Sequence, residues 1–286
     1  MKKMNLLKIS IFVIIFLIGL FGLLVFYAVK IEPYQLKVKE YISVKNKDSD
    51  TEVRIVQFSD VHIKEEFTFK NLSKVVEKIN QQNPDFVVFT GDLYDNYSIY
   101  HDDQNIINEL SKIKANYGKI AIWGNRDYGG GAGQHYTRIV QEAGFMLLSN
   151  QTEIYTTNND KSIAFTGIDD MLLGNPSTEL GQEKITADYS VFLTHEPDYV
   201  KNYSVEDYDI ILSGHSHGGQ INIPFIPSIN ETGLSFHSHS KDYRSGFYDL
   251  EKEDDRKIYV NSGIGTTHIS ARFGVTPEIT LFRIGI

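Results

Sequence analysis

The hydrophobic pattern begins with one long unbroken run. From Ile9 to Val29 there are 21 residues without a charge, with Lys2, Lys3 and Lys8 ahead of them and Lys30 and Glu32 behind. A helix over that run covers about 30 Å, the hydrocarbon thickness of a bilayer. A secretory leader would have a shorter apolar core and a small-residue cleavage site, and Phe26-Tyr27-Ala28 is a poor one. The pattern therefore predicts an uncleaved membrane anchor over residues 1–30. The lysines before it predict a cytoplasmic N-terminus and a single pass through the cell membrane, with the large domain extracytoplasmic. Residues 31–52 alternate around Leu36 and Val38 and then turn polar at Asn46-Lys47-Asp48-Ser49-Asp50, as an edge strand and turn would.

From Val53 the pattern alternates between strand and helix, and residues 53–286 read as one domain. Arg54–Phe58 reads as a strand. Leu72, Val75, Val76 and Ile79 share one helical face. Asn83-Pro84 ends that helix, and Phe86–Phe89 is an apolar run suited to a strand buried on both faces. A second helix carries Ile106, Ile107, Leu110 and Ile113, followed by a strand at Ile120–Trp123 and a helix near Tyr136–Ala143. Short strands follow at Ile163–Phe165, Val191–Leu193 and Ile210–Leu212. The tail segments Gly246–Leu250, Lys257–Val260 and Ile279–Arg283 read as antiparallel strands. Alternating strands and helices imply a sheet covered by helices.

Polar residues of one chemical kind follow the apolar runs. Phe58 leads into Ser59-Asp60-Val61-His62, Phe89 into Thr90-Gly91-Asp92, and Trp123 into Gly124-Asn125-Arg126-Asp127. Leu193 leads into Thr194-His195-Glu196, and Leu212 into Ser213-Gly214-His215-Ser216-His217. Ligands in open α/β folds gather outside the carboxyl ends of strands. Five strand ends thus deliver carboxylates, an amide and imidazoles to one rim, a donor set suited to Mn²⁺, Fe or Zn²⁺. Taken singly, each fragment also reads as a turn, a cap or a core histidine.

Composition narrows the chemistry. There are no cysteines, so thiolate metal sites, thiol nucleophiles and disulfides are excluded. A net charge of −9 argues against a broad nucleic-acid-binding face. Nothing in the pattern speaks to self-association.

The motifs Asp-x-His, Gly-Asp, Gly-Asn-x-Asp, His and Gly-His-x-His resemble those of the calcineurin-like metallophosphoesterase superfamily. Gly214–Gln220, Tyr259–Gly265 and Arg272–Thr280 resemble its bacterial membrane-associated or exported phosphodiesterase branch. The resemblance covers about Val53 to Ile286. It implies a four-layer α/β/β/α sandwich, here preceded by one transmembrane helix, with two divalent ions at one edge. It also implies Asp60, His62 and His217 on one ion, Asn125, His195 and His215 on the other, and Asp92 bridging. The implied activity is hydrolysis of phosphate esters by a bridging hydroxide, on small-molecule or lipid-linked phosphodiesters of the cell envelope. Asp60, Asp92, Asn125 and Arg126 would serve catalysis.

One position departs from the family pattern. Arg126 stands where the family usually has a histidine that contacts phosphate and helps the leaving group. Arginine binds phosphate oxygens well but is a poor proton donor. Either Arg126 stabilises charge while water or another histidine protonates the leaving group, or the protein is a metal-binding surface protein with weakened turnover. Asp127 reads as a partner for Arg126 or as a turn carboxylate. The glycine-rich Tyr128–His135 reads as a substrate-side or a mobile loop. Arg244 and Arg272 read as fold salt bridges or phosphate binders, and His237 and His239 form a second His-x-His. His268 has no assignment.

Overall fold

The structure is a computed structural model that describes residues 6–44, 51–177, 179–180, 185–223, 225, 242–250 and 257–286. The expected turn at 46–50 and the His237/His239 pair lie outside these residues.

Helix α1 (Leu6–Lys30) takes up the opening apolar run, and by length and composition it could cross a membrane. A 3-10 turn at Glu32–Tyr34 follows, then β1 (Lys37–Val44). The α/β core continues with β2 (Glu52–Phe58), α2 (Phe69–Gln81), β3 (Phe86–Phe89), α3 (Asp103–Leu110), β4 (Gly118–Ala121), α4 (Asn125–Gly129) and α5 (Tyr136–Glu142). Eight strands complete it: β5 (Met146–Leu147), β6 (Gln151–Thr156), β7 (Ser162–Gly167), β8 (Tyr189–Leu193), β9 (Ile210–Ser213), β10 (Gly246–Asp249), β11 (Lys257–Val260) and β12 (Glu278–Gly285).

Two six-stranded sheets result, ordered β1-β12-β2-β3-β4-β5 and β10-β11-β9-β8-β7-β6. Their apolar strands alternate between cores, as the period of two requires. Val56, Phe58, Val87 and Phe89 face α2, α3 and α5, together with Leu72, Ile79, Ile106 and Ile139. Ile55, Phe86 and Val88 face Phe165, Val191 and Leu212 between the sheets. On the far side of the second sheet, Phe192 and Ile211 pack against Val200, Tyr203 and Tyr208. This outer layer is built among the described residues from the 3-10 turn Pro197–Asn202 and loops, so the four layers are unequal.

The tail is mixed rather than antiparallel throughout. β10 and β12 pair antiparallel with β11 and β2, but β11 runs parallel to β9 and β12 parallel to β1. A tail that crosses between sheets must meet neighbours of both directions. The strands that precede the polar motifs are parallel within each sheet. Phe58 lies level with Phe89 in one, and Leu193 with Leu212 in the other. Their carboxyl ends therefore open on one rim. Buried Gln57 ties the sheets there, donating to Ser213 O (2.9 Å) and Thr90 Oγ1 (3.2 Å).

Candidate metal centre

Each motif residue reaches the rim on the loop that leaves its strand. Five of the seven, Asp60, His62, Asp92, His215 and His217, hold left-handed backbone with φ between 47° and 69°. Non-glycine residues visit this region rarely and at a cost, and such strain clusters at functional sites. Packing over-determines it. A Cβ on Gly91, itself at φ 93°, would lie 2.6 Å from Gly124 N, and one on Gly124 would lie 2.4 Å from Asp92 Oδ1. The Gly-Asp and Gly-Asn loops thus interlock only because both are glycine.

Buried Asp127 fastens the same two loops. Its Oδ2 accepts from Asp92 N and Gly124 N, and its Oδ1 from Leu93 N, each at 2.9 Å. It is the turn carboxylate and is not paired with the Arg126 side chain. Burial, with the Asp92 charge behind it, pushes Asp127 up to about 7 against the pull of these donors. The glycine-rich segment after it packs on the neighbouring loop, with Ser98 N donating to Gly130 O.

The structure brings the predicted ligands together. His217 Nε2 and His62 Nε2 face each other at 2.9 Å, and Asp60 Oδ1 lies 3.6 and 3.8 Å from them. His195 Nε2 lies 4.0 Å from Asp60 Oδ1, and Asn125 Oδ1 is 3.1 Å from His215 Nδ1. Asp92 stands between the two groups, with Oδ2 3.5 Å from His62 Nε2 and Oδ1 3.4 Å from His195 Nε2. Donors on one ion at 2.0–2.2 Å sit roughly 3–3.5 Å apart, so these separations fit coordination edges. His195 Nε2 is buried with no hydrogen-bond partner among the described residues, an arrangement that a cation would satisfy. Asp60–His62–His217 and Asp60–Asp92–His195 are each close enough to share an ion, as are His195, Glu196 and His215.

Partners behind the ligands set their tautomers. His195 Nδ1 lies 2.6 Å from Thr90 O, which can only accept, so Nδ1 carries a proton and the neutral ring turns its Nε2 lone pair to the site. His62 Nδ1 faces Asp95 Oδ1 at 3.3 Å, a charge contact that favours a proton on Nδ1. The field is strong. Burial works to raise Asp60, but the His217, His62 and His195 contacts outweigh it and hold the carboxyl well below its ordinary range. Burial likewise works to lower His195, and Asp92 and Asp60 overcome it. For His217, burial wins, helped by His62 and Arg272.

Asp95 and a role for Glu196 had no sequence assignment. Asp95 orients His62. Buried Glu196 lies against Asp170, and burial raises its pKa well above the ordinary value. Arg272 is fully buried and forms no ion pair among the described residues. It donates to Gly265 O and Ser262 O and lies 3.3 Å from His217 Nδ1. Arg244 offers its carbonyl to the Ser216 hydroxyl. The Arg126 guanidinium reaches Thr267 Oγ1 (3.2 Å) and His268 Nε2 (3.1 Å) at the rim.

Buried carboxylates and imidazoles crowded at the carboxyl rim of a two-sheet sandwich are the mark of hydrolases that work through bound metal ions. Residues 53–219 match the calcineurin-like phosphoesterases, and the chain belongs to that family. It is 34% identical over 262 residues to the metallophosphoesterase YkuE of Bacillus subtilis, an alignment covering 90% of this chain and 88% of YkuE. It is also 26% identical to the UDP-2,3-diacylglucosamine pyrophosphatase LpxG of Chlamydia trachomatis, over 81% of this chain and 83% of LpxG. With the phosphodiesterase YaeI of Escherichia coli the identity is 25%, over 83% and 84% of the two chains.

Proposed function

We propose that the protein is a two-metal phosphodiesterase acting on lipid-linked phosphoesters of the envelope. The observation that carries this reading is the meeting of seven donors from five strand ends in two overlapping groups, with one Asp92 oxygen turned to each group. Asp60, His62 and His217 would hold one ion and Asn125, His195 and His215 the other. Mn²⁺, Fe and Zn²⁺ all suit this mixture of oxygen and nitrogen donors. A bound pair would supply hydroxide at neutral pH and neutralise phosphoryl oxygens. The chain's own part is to fix the imidazole tautomers through Thr90 and Asp95, and to offer the Arg126 guanidinium to the phosphate at the rim.

The lipid-linked part rests on where α1 ends. Arg272 N donates to Ala28 O (2.9 Å), Gly274 N donates to Glu32 Oε2 (3.0 Å), and Tyr27 meets Phe273 edge to face. The helix end is therefore fastened to the segment whose Arg272 reaches His217. Ile223, Phe225 and Ile269 are exposed on bordering loops. With α1 as an anchor, N-terminus cytoplasmic, the rim opens close to the outer bilayer surface. The name of LpxG records a diacylated substrate with a pyrophosphate link, in keeping with this placement. A second reading, a metal-binding surface protein with little turnover, rests on Arg126, which does not give up protons.

Full-length protein in detergent, loaded with Mn²⁺, should carry about two ions per chain and hydrolyse bis(4-nitrophenyl) phosphate. Asp92→Asn should lose at least one ion and fall to background. A vesicle-borne acylated phosphodiester should exceed its soluble headgroup analogue in kcat/KM. A wild-type chain that loads metal without turnover selects the second reading, and equal kcat/KM values remove the membrane part.

A further inference from the structure

The family's leaving-group histidine is missing at position 126, yet an imidazole stands at the tip of the residue that replaced it. We propose that His268 is the proton donor to the leaving group, working as a pair with Arg126; this rests on the hydrolase reading above. The two residues are 142 positions apart in the chain, and the fold sets His268 Nε2 3.1 Å from Arg126 Nη2. Arg126 begins inside the centre, where its backbone N–H donates to Asp92 Oδ1 at 2.8 Å. Its guanidinium then runs outward to the exposed rim, where a phosphoester would enter.

The loop carrying His268 is held in place by several independent contacts. Gly265 N donates to Asp60 O (2.7 Å), so the loop starts on the Asp-x-His turn itself. Thr267 Oγ1 donates to Asp95 Oδ1 (3.0 Å), the carboxylate that also faces His62. Gln220, at the end of the Gly-His-x-His segment, accepts from Thr267 N (3.0 Å) and donates to Thr267 O (3.1 Å) and Ile269 O (2.8 Å). Three catalytic loops therefore fix one short segment, and His268 takes left-handed backbone within it at φ 59°. An exposed histidine without a task would not call for such bracing.

The resting pair has a defined protonation state. A guanidinium only donates, so His268 Nε2 accepts and the imidazole is neutral with its proton on Nδ1. Desolvation and the Arg126 charge both lower its pKa, with His62 and Lys64 adding to the effect and Asp95 opposing it. An anionic phosphodiester changes this balance. Arg126 turns its fork to the phosphoryl oxygens, releasing Nε2, and the incoming negative charge favours imidazolium. Nε2 takes a proton from solvent. In the reaction, the oxygen of a water-derived hydroxide bonds to phosphorus while the ester P–O bond breaks. The electron pair of that bond stays on the leaving oxygen, the imidazolium gives it the Nε2 proton, and neutral His268 is reprotonated from solvent.

The test uses full-length Mn²⁺-loaded protein and two phosphodiesters, bis(4-nitrophenyl) phosphate and a glycerol-based alkyl diester. A nitrophenolate leaves without a proton and an alkoxide does not. His268→Gln should lower kcat on the alkyl ester about 100-fold or more and change the aryl ester by less than about threefold. Arg126→His in the His268→Gln background should recover part of the alkyl activity by restoring an acid at the family position. Equal loss on both esters, or no loss on the alkyl ester, overturns the proposal while leaving the hydrolase reading intact. Wild-type protein that hydrolyses neither ester overturns both. A second readout needs no turnover. In Zn²⁺-loaded protein, inorganic phosphate should raise the NMR titration midpoint of the His268 C2 proton by about one unit. A midpoint that does not move with phosphate also overturns the proposal.

Discussion

Aspartates sit at both ends of the parallel strands and behave oppositely. Asp85, Asp188 and Asp209 immediately precede β3, β8 and β9. Each accepts a backbone N–H from the start of the neighbouring strand: Arg54 N at 2.9 Å, Ser162 N at 2.8 Å and Ser190 N at 2.8 Å. They act singly, partly in solvent, as staples. At the carboxyl ends, Asp60, Asp92 and Asp127 are buried and crowd one another, and the first two sit on left-handed backbone. Repulsion among them is held in check by histidines and by backbone donors. One end of the strands uses carboxylates to add stability. The other concentrates charge in a buried cluster able to hold a cation, and the rest of the fold must hold that arrangement together.

The largest effect expected from testing this contrast is at Asp127, the carboxylate that binds backbone within the crowded end. Asp127→Ala leaves three buried N–H groups without their acceptor, each costing about 1–3 kcal/mol. Partial rehydration through the new cavity reduces the sum to about 4 kcal/mol. At 2–4 °C per kcal/mol the metal-free protein should melt roughly 10 °C lower, with Asp127→Asn falling between it and wild type. Thermal unfolding in chelator checks this. A loss below about 1 kcal/mol would mean that the interlocked glycines alone hold the two loops.

Next comes Asp95, which touches no proposed ion. Asp95→Asn removes the carboxylate facing His62 Nδ1 and should weaken ion binding at the His62 group by 10–100-fold. Calorimetric titration of metal-free protein with Zn²⁺ should show one of two binding steps shifted. If both steps keep their affinity, His62 is oriented by its strained backbone and not by Asp95.

The two ends also differ in how far they could be read in advance. The clustering of the seven candidate donors was legible because each follows directly on an apolar run, and parallel strands in register must end together. Phe86–Phe89 read as a doubly buried strand because its residues serve two cores. What escaped reading depends on distant partners. Asp95 matters only because His62 turns toward it, and His268 only because a guanidinium 142 positions away ends beside it. Left-handed backbone at Asp60, His62, Asp92, His215 and His217 is only weakly signalled by residue type, since Asp and His visit it more often than most side chains but still seldom. Strand β6 was missed because Gln151–Thr156 lies at a sheet edge with mostly polar side chains, so its alternation carries little hydrophobic contrast. Staples and candidate ligands are the same residue type, and only position before or after the apolar run separates them.

The smallest effect belongs to a staple. Asp188 Oδ2 accepts from both the backbone N–H and the hydroxyl of Ser162, each at 2.8 Å, and Lys161 lies nearby. These bonds, the backbone one foremost, hold its pKa below the ordinary carboxylate value. A carboxyl depressed in the folded state contributes stability above its unfolded pKa and loses it as pH falls through the folded one. The side chain is 37% exposed, so solvent screening leaves Asp188→Asn a cost of about 1 kcal/mol or less at neutral pH. In acid, where the native carboxyl also carries a proton, variant and wild type should converge. Denaturant unfolding of both proteins at neutral pH and along an acid series reads this directly. A difference that persists in acid would mean that shape, not charge, does the stapling, and the contrast between the two ends would then rest on burial alone.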